Sequence, residues 1–118
     1  MSIDYEEQYW TKFEEIVFNV TDTLKDANDV ITEQNSNDIN NVLCSLIKKV
    51  QELLKLNEKE EYINFVDLNI ESKIIQLHDL LKDAVEEVAA GEYDSVQTEI
   101  STSIDKAEEI IDIYDEEY

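Results

Sequence analysis

Proline is absent from the whole 118-residue chain, and glycine occurs once, at Gly91. Strand–turn–strand architectures place Gly, Pro and Asn-Gly in their turns, and apart from that one glycine none of those signals is here. Helix interiors exclude both residues, proline at a cost of about 3 kcal/mol. The chain is therefore expected to be all-α, a small antiparallel bundle of about four amphipathic helices. Its length is that of one domain, spanning residues 1–118. At this size, folding buries roughly two thirds of the unfolded surface, enough for a core without disulfide or metal staples.

Hydrophobic spacing divides the chain into four segments. In the first, about residues 4–33, Tyr9, Phe13, Ile16, Val17, Val20, Leu24, Ala27 and Ile31 recur at helical spacing. Asp4 and Glu7 fit a capping box, and Gln34-Asn35-Ser36-Asn37 breaks the pattern. The second, about 38–56, carries a broad stripe of Ile39, Val42, Leu43, Leu46, Ile47, Val50, Leu53 and Leu54. A stripe that wide suggests a helix touching two neighbours. Asn57 and Glu60 read as the cap of a third helix. From there to Ala90, Tyr62, Val66, Ile70, Ile74, Leu77, Leu81, Val85 and Val88 stay in helical phase. One long helix and a helix broken near Asp67 to Asn69 both satisfy that pattern. Gly91 closes the segment as a C-terminal cap. The fourth starts at Asp94, with Gln97 as box partner, and shows Val96, Ile100, Ile104, Ala107, Ile111 and Tyr114.

Charge is uneven along this frame. The 30 carboxylates face nine lysines and no arginine, a net charge of −21. Residues 1–33 carry −7, residues 34–82 carry −2, and residues 83–118 carry −12. An up-down-up-down bundle sets its first and last helices side by side, so the two acidic ends are expected to merge into one face. Asp22, Asp26, Asp29 and Glu33 recur at spacings of four, three and four, and Asp105, Glu109, Asp112 and Glu116 do the same. Side chains so placed stand about 5–6 Å apart, comparable to neighbouring phosphates on one strand. Two such rows side by side would imitate a nucleic-acid backbone. An ordinary solvated acidic face is the plainer account of any single row. The candidate partner-binding set is these eight residues with Glu108, Asp115, Tyr114 and Tyr118.

Several chemistries are expected to be absent. Nucleic-acid affinity depends on cations meeting phosphates, so direct binding is disfavoured, as is an anionic membrane. No apolar run approaches membrane-spanning length, the N-terminus is acidic where a signal peptide is basic, and a cytoplasmic setting is expected. The lone Cys44 sits in an apolar run and is expected to be a buried thiol. His78, the only histidine, has no local partner for catalysis, and neither an enzymatic role nor a metal or other cofactor is expected. Asp67, Asn69 and Glu71 copy the start of a calcium loop, but Ser72 replaces its glycine and His78 its bidentate glutamate. Asp94-Ser95-Val96 resembles the Asp-Ser-Leu signature of acyl carrier proteins, whose serine carries phosphopantetheine. Only 23 residues follow Ser95, too few for the helices that family needs, and a helix cap explains Asp94 and Ser95.

The expected partner is a basic protein that binds nucleic acid. In broad character, with no motif carrying the likeness, the chain resembles phage anti-restriction and anti-CRISPR DNA mimics. An immunity protein or antitoxin covering a nuclease makes the same electrostatic demand. The competing expectation is a helical adaptor or assembly subunit that binds, or forms a homodimer, through an apolar helix face.

Overall fold

The computed structural model describes residues 4–117. Helix α1 spans Tyr5–Thr32, α2 spans Ser36–Glu58, α3 spans Leu68–Ala89 and α4 spans Tyr93–Glu117; a 3-10 helix, Glu60–Phe65, joins α2 to α3. No strand occurs among the described residues. Each helix packs on two others, in the closed order α1–α2–α3–α4–α1, and the backbones of the diagonal pairs come no closer than 8 Å between Cα atoms. The result is a four-helix bundle about 53 Å long and 23 Å by 19 Å across. Among the described residues, no helix is long and apolar enough to cross a membrane.

The core follows a strict four–three alternation. Val17, Val20, Leu24, Ala27 and Ile31 supply it from α1, and Ile39, Leu43, Leu46, Val50 and Leu53 from α2. Ile70, Ile74, Leu77, Leu81, Ala84 and Val88 continue it on α3; Val96, Ile100, Ser103, Ala107 and Ile110 complete it on α4. A mean repeat of 3.5 residues keeps one seam of each helix on the bundle axis. The broad stripe of α2 flanks that seam on both sides. Val42, Ile47 and Leu54 pack against the core at its edges, so the stripe is used within the bundle, against α1 and α3.

That alternation corrects several expectations. Ser103 and Ile110 are buried, while Ile104 and Ile111 are only half-buried. Ser103 is tolerated inside because its hydroxyl donates to the Glu99 carbonyl at 2.7 Å. Ala84 likewise takes the inner position expected of Val85. Cys44 is exposed. It follows Leu43 by one residue, a rotation of about 100° that carries it off the core despite its apolar neighbours. Asn57 caps nothing: it lies buried in the last turn of α2, where its Oδ1 accepts from the Tyr9 hydroxyl at 2.6 Å.

The caps locate the helix ends. The Glu7 amide donates to the Asp4 carboxylate, as expected. Asn35 accepts from the amides of Asn37 and Asp38, so α2 begins two residues before Asp38. Asp67 accepts from the amides of Asn69 and Ile70, so of the two readings of residues 58–90 the broken one is found. Asp94 is not the cap of α4, which starts one residue earlier and holds Asp94 in its first turn.

Gly91 ends α3 with φ 73°, its amide donating to Val88 and that of Glu92 to Glu87. These two bonds form the Schellman closure. Gln34 holds the same left-handed backbone at the end of α1, with φ 53° and its amide on Ile31, but without glycine's freedom. Gln34→Gly is therefore expected to stabilise the fold, and Gly91→Ala to destabilise it, each by about 1 kcal/mol. A Cβ at Gly91 would meet nothing within 4 Å, so backbone strain alone sets that cost. Urea unfolding of the two variants checks both signs.

Candidate partner-binding surface

The acidic helices are neighbours. Helix α1 carries seven carboxylates and two lysines, and α4 carries nine carboxylates and one lysine. Helix α2 is balanced, at three of each. Among the described residues, the ion pairs within 4 Å are Lys73–Glu109 at 3.0 Å and Lys106–Glu109 at 3.5 Å. Both end on Glu109, so the only lysine of α4 goes to a carboxylate already held by α3. The remaining acids of α4 have no such ion pair.

Antiparallel packing sets the level of each acid. Tyr114 lies against Trp10 and Phe13, with ring centroids 5.4 and 5.7 Å away, and its hydroxyl donates to Glu14 at 3.1 Å. The end of α4 thus lies beside the start of α1. The row Asp105, Glu109, Asp112, Glu116 sits level with Glu14 and Glu15, not with Asp22, Asp26, Asp29 and Glu33. At 1.5 Å rise per residue the two rows are offset by about 20 Å. They approach one another only around Asp22 and Asp105. The expected pair of rows side by side is therefore not formed. What exists is a staggered acidic band along the α1–α4 side, to which Glu14 also belongs, whereas Glu15 faces the groove between α1 and α2. Sequence spacing within each helix does not reveal Glu14; antiparallel pairing of the two ends does.

Rotation around each helix divides the candidates further. Glu109 leans to the α3 side, where Lys73 holds it, and Glu116, two turns on, follows it. On α1, Thr23 accepts from Lys49 of α2, and Asp26, one turn on, leans the same way with Glu33. Asp22, Asp29, Asp105 and Asp112 are exposed on the outermost faces of their helices. Glu108 and Asp115, also exposed, lie on the flank of α4 away from α3 and toward α1. Tyr114 is half-buried in the aromatic cluster; burial, then the bond to Glu14, raises its hydroxyl's pKa above the usual value. Tyr118 lies outside the described residues.

No known family model, curated protein or solved structure matches this chain. The functional reading rests on this geometry and its electrostatics.

The crowding of like charge reaches one half-buried group. Glu87, on the α3–α4 seam, has one carboxylate oxygen, Oε2, that is buried and meets no donor. Burial first, then the carboxylates of Glu99, Asp83, Glu92 and Glu86, raise its pKa above the usual range. Glu117 is also raised, chiefly by a carboxyl–carboxylate hydrogen bond with Asp67, the cap of α3. Glu109 is lowered, chiefly by Lys73, but it is only half-buried and its effect is screened.

A group with a raised folded pKa stabilises fully below its unfolded value, and that contribution is lost as pH rises through the folded value. The melting temperature is therefore expected to fall between about pH 5 and pH 7.5. At pH 7.5, added salt and Glu87→Gln should each raise it, and the variant should flatten the slope. A melting temperature that climbs with pH and ignores salt would contradict this.

Proposed function

We propose that this protein is a non-enzymatic inhibitor whose acidic α1–α4 side occupies the basic nucleic-acid-binding surface of another protein. It acts as a nucleic-acid mimic, in the manner of an anti-restriction or anti-CRISPR protein, or of an immunity protein against a nuclease. One observation carries the reading: two adjacent helices hold sixteen carboxylates, and of their three lysines one is spent on Glu109, which α3 already holds. Uncompensated charge destabilises a fold, so its retention on these two adjacent helices calls for a use. Carboxylates facing lysines and arginines give rapid, specific association.

The mimicry does not require two parallel rows. The offset band presents carboxylates along much of a 53 Å body, and its outward members are exposed. The broad stripe of α2 is taken up inside the bundle.

The test is capture from lysate of the native host on the immobilised protein at low salt, followed by a salt gradient. A basic, nucleic-acid-binding protein is expected to elute at moderate salt. Retention of partners that salt does not release, and that detergent does, would favour the adaptor.

A further inference from the structure

The connection from α2 to α3 is longer than the fold needs. The other two reversals use three residues each, 33–35 and 90–92, and this one uses nine, 59–67. It is held firmly from beneath. Tyr62 is 2% exposed, its hydroxyl donates to Gln8 at 3.1 Å, and its ring lies 5.6 Å from that of Tyr9. Phe65 also lies against Tyr9, at 6.5 Å. With these two anchored, Ile63 and Leu68 are left 60% and 76% exposed, the highest values among the large apolar side chains of the described residues.

Both line one cavity of about 640 Å³, whose apolar wall is completed by Val66. Its charged lining residues are Glu58 and Glu71, with no lysine among them. Glu60 and Glu61 begin the 3-10 helix alongside. Asn57 also lines it; that side chain is 4% exposed, and its Nδ2 is buried without an acceptor.

We propose that this cavity receives an apolar side chain from a basic segment of the partner protein. The inference deepens the proposed function and takes the partner's sign of charge from it. Charge complementarity selects the occupant. Glu58 and Glu71 favour lysine or arginine beside the apolar anchor, whereas a second copy of this chain would bring carboxylate against carboxylate at −21 each.

The test uses the full chain, ¹⁵N-labelled, titrated with end-capped peptides. One is Lys-Lys-Leu-Phe-Lys-Lys; a second replaces Leu-Phe by Ser-Ser; a third keeps Leu-Phe and replaces the lysines by glutamate. The first is expected to shift the Asn57 side-chain amide and the backbone amides of Ile63, Asn64 and Leu68. It should bind about tenfold or more tighter than the second, as burial of one large apolar side chain implies. Ile63→Ser and Leu68→Ser, both at exposed positions, should remove that difference, while charge reversals on α4 leave it in place.

Equal affinity of the first two peptides, or shifts confined to α1 and α4, would overturn the cavity site while leaving the acidic-surface reading intact. Equal binding of the glutamate-flanked peptide would overturn the basic segment, and the proposed function with it. A dimer in sedimentation that Leu68→Ser disperses would assign the cavity to a second copy and overturn the proposal.

Discussion

Replacing Asp105, Glu108 and Asp112 together by lysine is expected to weaken partner binding by at least about a hundredfold, with association slowed as well. The three are exposed on α4 and make no ion pair among the described residues, so their reversal touches the partner and leaves the bundle's own contacts alone. Glu109 is left out because its reversal would also break the bond to Lys73. Reversal of Asp22, Asp26 and Asp29 on α1 is expected to act in the same direction. Exposed controls at Asp38 and Asp79, on the α2 and α3 side, should change binding little. Circular dichroism must show unchanged helicity in each variant, since relief of repulsion could stabilise the fold. Equal losses from the controls would mean that net charge, not this side of the bundle, is what the partner reads.

Phe13→Ala is expected to cost about 3–5 kcal/mol, the usual range for removing a buried aromatic ring. Phe13 is fully buried and touches Tyr9, Trp10 and Tyr114, so one deletion loosens contacts between α1 and α4. Against a total stability of about 5–15 kcal/mol, such a loss is severe. The melting temperature should fall by at least about 12 °C. A loss under about 1 kcal/mol would show that the aromatic end of the bundle is not packed as described.

The two predictions draw on parts of the structure that were unequally legible in the sequence. Core positions such as Leu24, Leu43, Leu77 and Ile100 stand out because one period governs a whole helix. The adjacency of α1 and α4 follows from four short-linked helices. Cys44 and Ser103 were misplaced for one reason: residue type was weighed above rotation, and a 100° step outranks apolarity at a single position. The offset of the acidic rows was illegible because spacing inside one helix says nothing about its level beside another. That level is set by contacts such as Tyr114 with Trp10 and Phe13. The stretch from Asn57 to Leu68 was read least well. Ile63, Phe65, Val66 and Leu68 obey no single period, and a buried Asn57 bonded to Tyr9 looks, in sequence, like a helix cap.

The most direct test of the mimic is competition on the captured partner. The partner, loaded with labelled nucleic acid, is titrated with this protein at salt concentrations from about 0.05 to 0.5 M, a range over which screening of exposed charge becomes severe. The expected result is displacement of the nucleic acid at low salt, one ligand excluding the other, with affinity falling by orders of magnitude across the series. A ternary complex in which both stay bound, with an affinity that salt does not change, would contradict the account.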